Sequence, residues 1–204
     1  MIQSPAPFEG KSGDKYFNED YRNILQTLIN NTSVTKKFNE SEFYKKLKQG
    51  IDNYSLSYKD ILQNGLNYID EALGDKEITF ALSHGDFAPW NMIWNDKQVF
   101  LYDWESANLE APAGIDLVHF LFQTGFLLKK LRGNTLLVFC LNGKPYQIVS
   151  GKIEKSLLAS KLLLLSYLLK MAIDEDREQP LSESGVERRN LIKVLIYNCK
   201  RTDS

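Results

Sequence analysis

The run from Ser156 to Ile173, SLLASKLLLLSYLLKMAI, restricts the fold of this chain more than any other stretch. It is too apolar to serve as a surface helix, so whatever structure forms must bury it. A bilayer is one way to do so. Lys161 and Lys170 argue against that, because each would cost roughly 2.5–3.5 kcal/mol at a membrane centre. The run therefore predicts a core helix, about Lys152–Ile173, and the rest of the chain must wrap around it.

The remaining sequence has the means to do this. With 204 residues it is long enough for one domain or one large lobe. Hydrophobic residues at 43% and charged residues at 25% exclude wholesale disorder. The 25 Lys+Arg against 26 Asp+Glu leave a net charge of −1, which excludes the basic excess of a nucleic-acid footprint. Cys140 and Cys199 are too few and too far apart for a disulfide framework or a metal knuckle, and a reduced, cytoplasmic setting is the expectation. Met1–Gly13 lacks the basic stretch and apolar run of a targeting segment.

The first third reads as helices. Asn18 before Glu19 and Asp20 forms a capping signal, and Tyr21, Ile24, Leu25, Leu28 and Ile29 follow at helical spacing. A second helix is predicted over Ser41–Lys48, with Phe43 and Leu47 inward and Gly50 ending it. A third starts near Ser57, where Ser57-x-x-Asp60 reads as a capping box, and runs to Leu73 before Gly74. The middle is different. Ile78–Leu82 is a short run of strand formers, and Met92–Trp94 and Val99–Tyr102 flank the polar residues 95–97 as a hairpin. All three tryptophans, Trp90, Trp94 and Trp104, fall in this middle stretch and are expected in the core. Beyond it, Asp116 opens an apolar segment to Leu128, in which His119 is expected to be a packing residue. Leu136–Leu141 and Tyr146–Val149 read as a second hairpin about Asn142-Gly143-Lys144. A last helix is predicted over Val186–Lys200, after an acidic loop from Asp174 to Ser184.

The chemistry is concentrated in the middle segment. Asp86 follows the predicted strand, Asn91 lies five residues later, and Asp103 ends the hairpin, which returns the chain beside its start. Two carboxylates and an amide are hard oxygen ligands that suit Mg²⁺, not zinc. A metal held by Asn91 and Asp103 leaves Asp86 free to accept a proton from a hydroxyl. Phosphoryl transfer needs this combination, because its catalysis consists of metal clamping plus positioning of the nucleophile. The spacing His84-Gly85-Asp86-Phe87-Ala88-Pro89-Trp90-Asn91 also fits the kinase catalytic loop, with Gly85 where protein kinases have Arg.

Three motifs in order, this loop, then Leu101-Tyr102-Asp103-Trp104-Glu105, then Gly114-Ile115-Asp116-Leu117, resemble the aminoglycoside phosphotransferase and choline-kinase-like family. The match covers Leu82 to Phe120. The resemblance implies a mainly α chain with a small β element (α+β), the large helical C-terminal lobe of the protein-kinase-like fold. It implies ATP and Mg²⁺ as cofactors, Asp86 as catalytic base, and Asn91 and Asp103 as metal ligands. His84 would support the loop structurally and Asp116 would brace it through backbone hydrogen bonds. The implied substrate is a small molecule bearing a hydroxyl.

The family's small N-terminal lobe supplies a phosphate-gripping Lys on a strand, and no such element is found in this sequence. Glu9-Gly10-Lys11-Ser12-Gly13 also fails as a Walker loop, because Pro5 stands where that motif needs Gly. The resemblance instead aligns residues 1–10 with the hinge, where Ser4 and Ala6 would meet adenine. The expected organisation is one lobe over 1–204: a hinge-like segment 1–10, helices 11–76, a catalytic centre 77–116 and a helical substrate region 117–204. Such a lobe is expected to be inactive without its small lobe, to need that lobe or a partner chain, and to self-associate through the uncovered face. The alternative reading is a non-catalytic or truncated kinase-like binding module. Neither reading involves nucleic acid or a membrane.

Overall fold

The computed structural model of the protein describes residues 10–54, 58–95, 98–143, 157–175 and 182–200. The apolar run forms helix α6 (Leu157–Glu175), and it sits at the centre. Leu164, Leu165, Leu168, Leu169 and Ala172 are all buried along it. Helices α2 (Glu42–Asp52), α3 (Lys59–Leu73), α4 (Ile115–Gln123), α5 (Gly133–Asn142) and α7 (Glu183–Lys200) pack around α6. Lys170 lies at the surface end and pairs with Asp174 at 2.8 Å. No helix among the described residues is long and apolar enough to cross a membrane.

Local sequence accounts for most of these helices. Helix α1 (Glu19–Thr32) is capped by the Asn18 side chain, which accepts from the Tyr21 amide at 3.0 Å. Tyr21, Leu25 and Ile29 form its buried stripe. Ser41 caps α2 in the same way, accepting from the Tyr44 amide at 3.1 Å. Gly50 does not end α2 but lies inside it, buried, where a Cβ would collide with Ile173 of α6. Its role is close approach of two helices. The Ser57 capping box lies outside the described residues, and α3 is described from Lys59.

Leu136–Leu141 belongs to helix α5 and not to a hairpin strand. Leu136, Leu137 and Cys140 are buried while Val138 is exposed, the one-sided burial of a helix. Tyr146–Val149 lies outside the described residues. The α4 helix continues as a π-helical turn over Thr124–Leu128, so the apolar segment ends at Leu128.

Two small antiparallel sheets make up the β part. One has the order β1 (Lys11–Ser12), β4 (Met92–Asn95), β5 (Gln98–Leu101), with Met92 opposite Leu101. The other has the order β2 (Val34–Lys37), β3 (Glu77–Ser83), β6 (Asn108–Pro112). The stretch 11–76 thus carries strands β1 and β2 besides its helices. Strand β3 is central in its sheet, pairs Phe80 with both Val34 and Pro112, and shifts register with β6 between Ala81 and Ser83. Helix α1 packs on β3. The irregular end of β3, the start of α4 and the segment after β5 come together at one place.

Candidate active site

The loop after β3 is held from below by one carboxylate. Asp116, buried in the first turn of α4, accepts from Ser83 Oγ at 2.7 Å and from the Gly85 amide at 3.1 Å through Oδ1. Its Oδ2 accepts from the His84 amide at 2.8 Å. A carboxylate bonded by several donors on adjacent residues fixes their backbone path. Gly85 has φ +86°, and a Cβ there would overlap the Ser106 carbonyl oxygen. Only glycine fits both requirements.

His84 is buried and has a partner at each ring nitrogen. Nε2 donates to the Tyr102 carbonyl at 2.8 Å, and Nδ1 accepts from the Asp86 amide at 3.2 Å. Those partners assign the Nε2–H tautomer. The ring also lies edge-on to Trp104, with centroids 4.6 Å apart. His84 thereby ties the loop after β3 to the segment after β5. The tryptophans are half-buried and not fully in the core; Trp104 donates to the Leu101 carbonyl at 3.0 Å.

Asp86 is the centre of the constellation. Its Oδ2 accepts from Asn91 Nδ2 at 2.7 Å, and the same nitrogen donates to the Asp86 carbonyl at 2.9 Å. Its Oδ1 lies 2.8 Å from His119 Nε2. The hydrogen bond from His119 holds the Asp86 carboxyl below the usual carboxylate range, opposing the effect of partial burial, with Asn91 adding to the same direction. Asp86 is therefore ionised at neutral pH while its side chain remains 36% exposed.

Asn91 and Asp103 are neighbours through Tyr102. The Tyr102 amide donates to the Asn91 carbonyl at 3.1 Å, and its hydroxyl donates to the Trp90 carbonyl. Asp103 follows with φ +65°, a left-handed conformation that is uncommon for a residue with a side chain and concentrates at functional sites. With its nitrogen committed to Asp86, Asn91 would offer its amide oxygen to a cation. Asp103, exposed, would offer carboxylate oxygens. This donor set fits Mg²⁺, which takes few protein ligands and keeps water or phosphate in its other positions. Among the described residues no three His, Cys, Asp or Glu side chains form a metal cage of their own.

The structure thus brings His84, Asp86, Asn91 and Asp116 into one network and sets Asp103 beside it. Ser4 and Ala6 lie outside the described residues. His119 is the residue that sequence reasoning assigned to packing alone. It does pack against Tyr167, but it also contacts Asp86. A signal was present: Asp116 and His119 stand three residues apart on α4, so both face the same loop.

No family model and no curated protein matches the chain. Solved structures do resemble it. The crystal structure of choline kinase LicA from Streptococcus pneumoniae matches with a TM-score of 0.55 and 15% identity, over 88% of this chain and 62% of that one. The crystal structure of a thermostable mutant of aminoglycoside phosphotransferase APH(4)-Ia, apo form, matches with a TM-score of 0.53 and 11% identity, over 78% of this chain and 52% of that one. The chain has the kinase-like phosphotransferase fold. At these identities the likeness concerns the fold, and the chain spans less than two thirds of either structure's length. Within the kinase-like fold, this chain's two small sheets and helical bulk correspond to the C-terminal lobe.

Proposed function

We propose that this lobe transfers a phosphoryl group from ATP to a hydroxyl of a small molecule such as choline, an aminoglycoside or a sugar. The observation that carries the reading is an ionised Asp86 bonded to Asn91, with left-handed Asp103 next to the Tyr102 amide that bonds the Asn91 carbonyl. Asp86 is the base. Its carboxylate accepts the hydrogen of the acceptor hydroxyl and orients the oxygen for in-line attack. A low carboxyl pKa suits a role in which orientation counts for more than proton affinity, because the hydroxyl proton leaves late in a loose transition state.

Asn91 and Asp103 would hold Mg²⁺, which when bound neutralises charge on the phosphate oxygens. His84 and Asp116 touch no substrate in this scheme. They keep the loops carrying Asp86 and Asp103 at a fixed separation, His84 by bonding across them and Asp116 by clamping the turn. The hinge role of Ser4 and Ala6 toward adenine belongs to the same proposal. So do a small lobe or partner chain that completes the nucleotide site, self-association, and a cytoplasmic location.

The experiment is a transfer assay with Mg·ATP and a panel of choline, glucose and kanamycin, run with the small lobe or partner chain that completes the nucleotide site present, on the wild type and on Asp86→Asn. The reading expects Asp86→Asn to lower turnover by about 10²–10⁴-fold with ATP affinity near normal. Transfer that persists above about a tenth of the wild-type rate in Asp86→Asn would remove Asp86 from the role of base. Binding of Mg·ATP without transfer to any acceptor, with the nucleotide site completed in this way, would favour the alternative, a kinase-like binding module.

A further inference from the structure

His119 reaches Asp86 from a different element, 33 residues later, and it is 4% exposed. Its ring is confined. It meets Tyr167 of α6 edge-on, with centroids 5.6 Å apart at 86°, and Tyr167 in turn packs on Phe122. Its Nδ1 is buried without a hydrogen-bond partner. The proton can therefore be placed. A carboxylate accepts and does not donate, so Nε2 carries the hydrogen in the contact with Asp86. An N–H at Nδ1 would be a buried donor that faces no acceptor, which is disfavoured. A ring that only filled space would have no reason to prefer one nitrogen.

The consequence lies in how Asp86 is held. A carboxylate pinned at one oxygen can still rotate about its Cβ–Cγ bond. Asn91 pins Oδ2 and His119 pins Oδ1, so both ends of the group are fixed. The two donors come from different elements, the loop itself and α4, and α4 is anchored on the central helix through Tyr167. We propose that His119 is a positioning residue, whose Nε2–H sets the plane of the Asp86 carboxylate against the core before any substrate arrives. The remaining lone pairs then meet the acceptor hydroxyl in one orientation. This rests on the phosphotransfer reading for its purpose, though the hold itself does not. Such pre-orientation matters because a shift of about 1 Å at a reacting group can cost about 10²-fold in rate.

The test uses the full chain and three variants. His119→Phe keeps the ring volume and removes the donor, His119→Gln keeps a donor within reach, and Asp86→Ala removes the acceptor. Crystal structures should show the Asp86 carboxylate turned away in His119→Phe and retained in His119→Gln, with the loop backbone unchanged. Nitrogen-15 spectra of the imidazoles, simple to assign because the chain has 2 His, should report Nε2–H at His119 and lose that preference in Asp86→Ala. In transfer from Mg·ATP to choline, glucose or kanamycin with the small lobe or partner chain present, His119→Phe should lower kcat roughly 10–100-fold with KM for Mg·ATP unchanged, and His119→Gln should recover part of the loss. An Asp86 carboxylate that keeps its place in His119→Phe, or a His119 tautomer indifferent to Asp86→Ala, overturns the positioning role. If His119→Phe does not fold, the tautomer measurement decides alone. A chain that shows the expected tautomer and carboxylate behaviour, but transfers phosphate to none of these acceptors even with the small lobe or partner chain present, supports the hold and counts against the phosphotransfer reading instead.

Discussion

Gly85 sits so close to Ser106 that a Cβ on it would overlap the Ser106 carbonyl oxygen, and its φ of +86° is one that side-chain-bearing residues rarely adopt. The neighbour is backbone, so it cannot move aside by a rotamer change. Gly85→Ala should therefore destabilise the chain by about 2 kcal/mol or more, combining left-handed strain with the overlap. Chemical denaturation measures this directly. A loss below about 0.5 kcal/mol would mean that the loop has another path open to it.

Asp116 offers a second test of the same loop. Asp116→Asn keeps the shape but replaces one accepting oxygen by an amide nitrogen, which would face a donor, either Ser83 Oγ with the Gly85 amide or the His84 amide. The expected cost is about 1–3 kcal/mol for the groups left unsatisfied. Amide exchange at His84 and Gly85 should accelerate more than exchange at the β3 amides. Uniform exchange across all of them would place the effect in the core of the lobe and not in the loop.

The pH dependence follows from the sign of the Asp86 shift. Its folded pKa lies below its unfolded one, chiefly through His119, so ionised Asp86 contributes stability that is complete above the unfolded value of about 3.9. That contribution is lost as pH falls through the lower folded value. The stability advantage of the wild type over Asp86→Asn should not shrink from about pH 7 to about pH 5 and should turn against the wild type below about pH 4. A wild-type advantage that already shrinks as pH falls from about 7 to about 5 would show that Asp86 titrates higher than its partners dictate.

What the sequence makes legible divides by range. Helix α1 can be read from Asn18 and from Tyr21, Leu25 and Ile29 because cap and stripe are both local. Helix α6 can be read from composition alone. Gly50 misleads because its reason for being glycine is Ile173, far away in sequence, and a glycine near a helix end otherwise signals a stop. Leu136–Leu141 is a short apolar run, for which periodicity does not separate strand from helix. Strands β2 and β6 pair with β3 from positions remote in sequence, and mostly exposed Val34–Lys37 has no hydrophobic alternation to announce itself.

The site follows the same rule. His84, Asp86 and Asn91 share one loop, so their spacing already implies that they meet. His119 is hidden because an apolar neighbourhood says that a histidine is buried but not what it faces. The left-handed backbone of Asp103 carries no sequence mark at all.

The central claim is that Asn91 and Asp103 receive the metal of a metal–nucleotide complex beside Asp86. Mn²⁺ can replace Mg²⁺ and broadens the NMR signals of nearby nuclei, so even weak binding is visible. Mn·ATP added to the isotope-labelled chain should broaden the Asn91 side-chain amide and the Asp103 backbone amide before other signals. Asp103→Ala should abolish the effect at Asn91. Broadening centred elsewhere, or broadening at Asn91 that is the same in Asp103→Ala, would contradict the account.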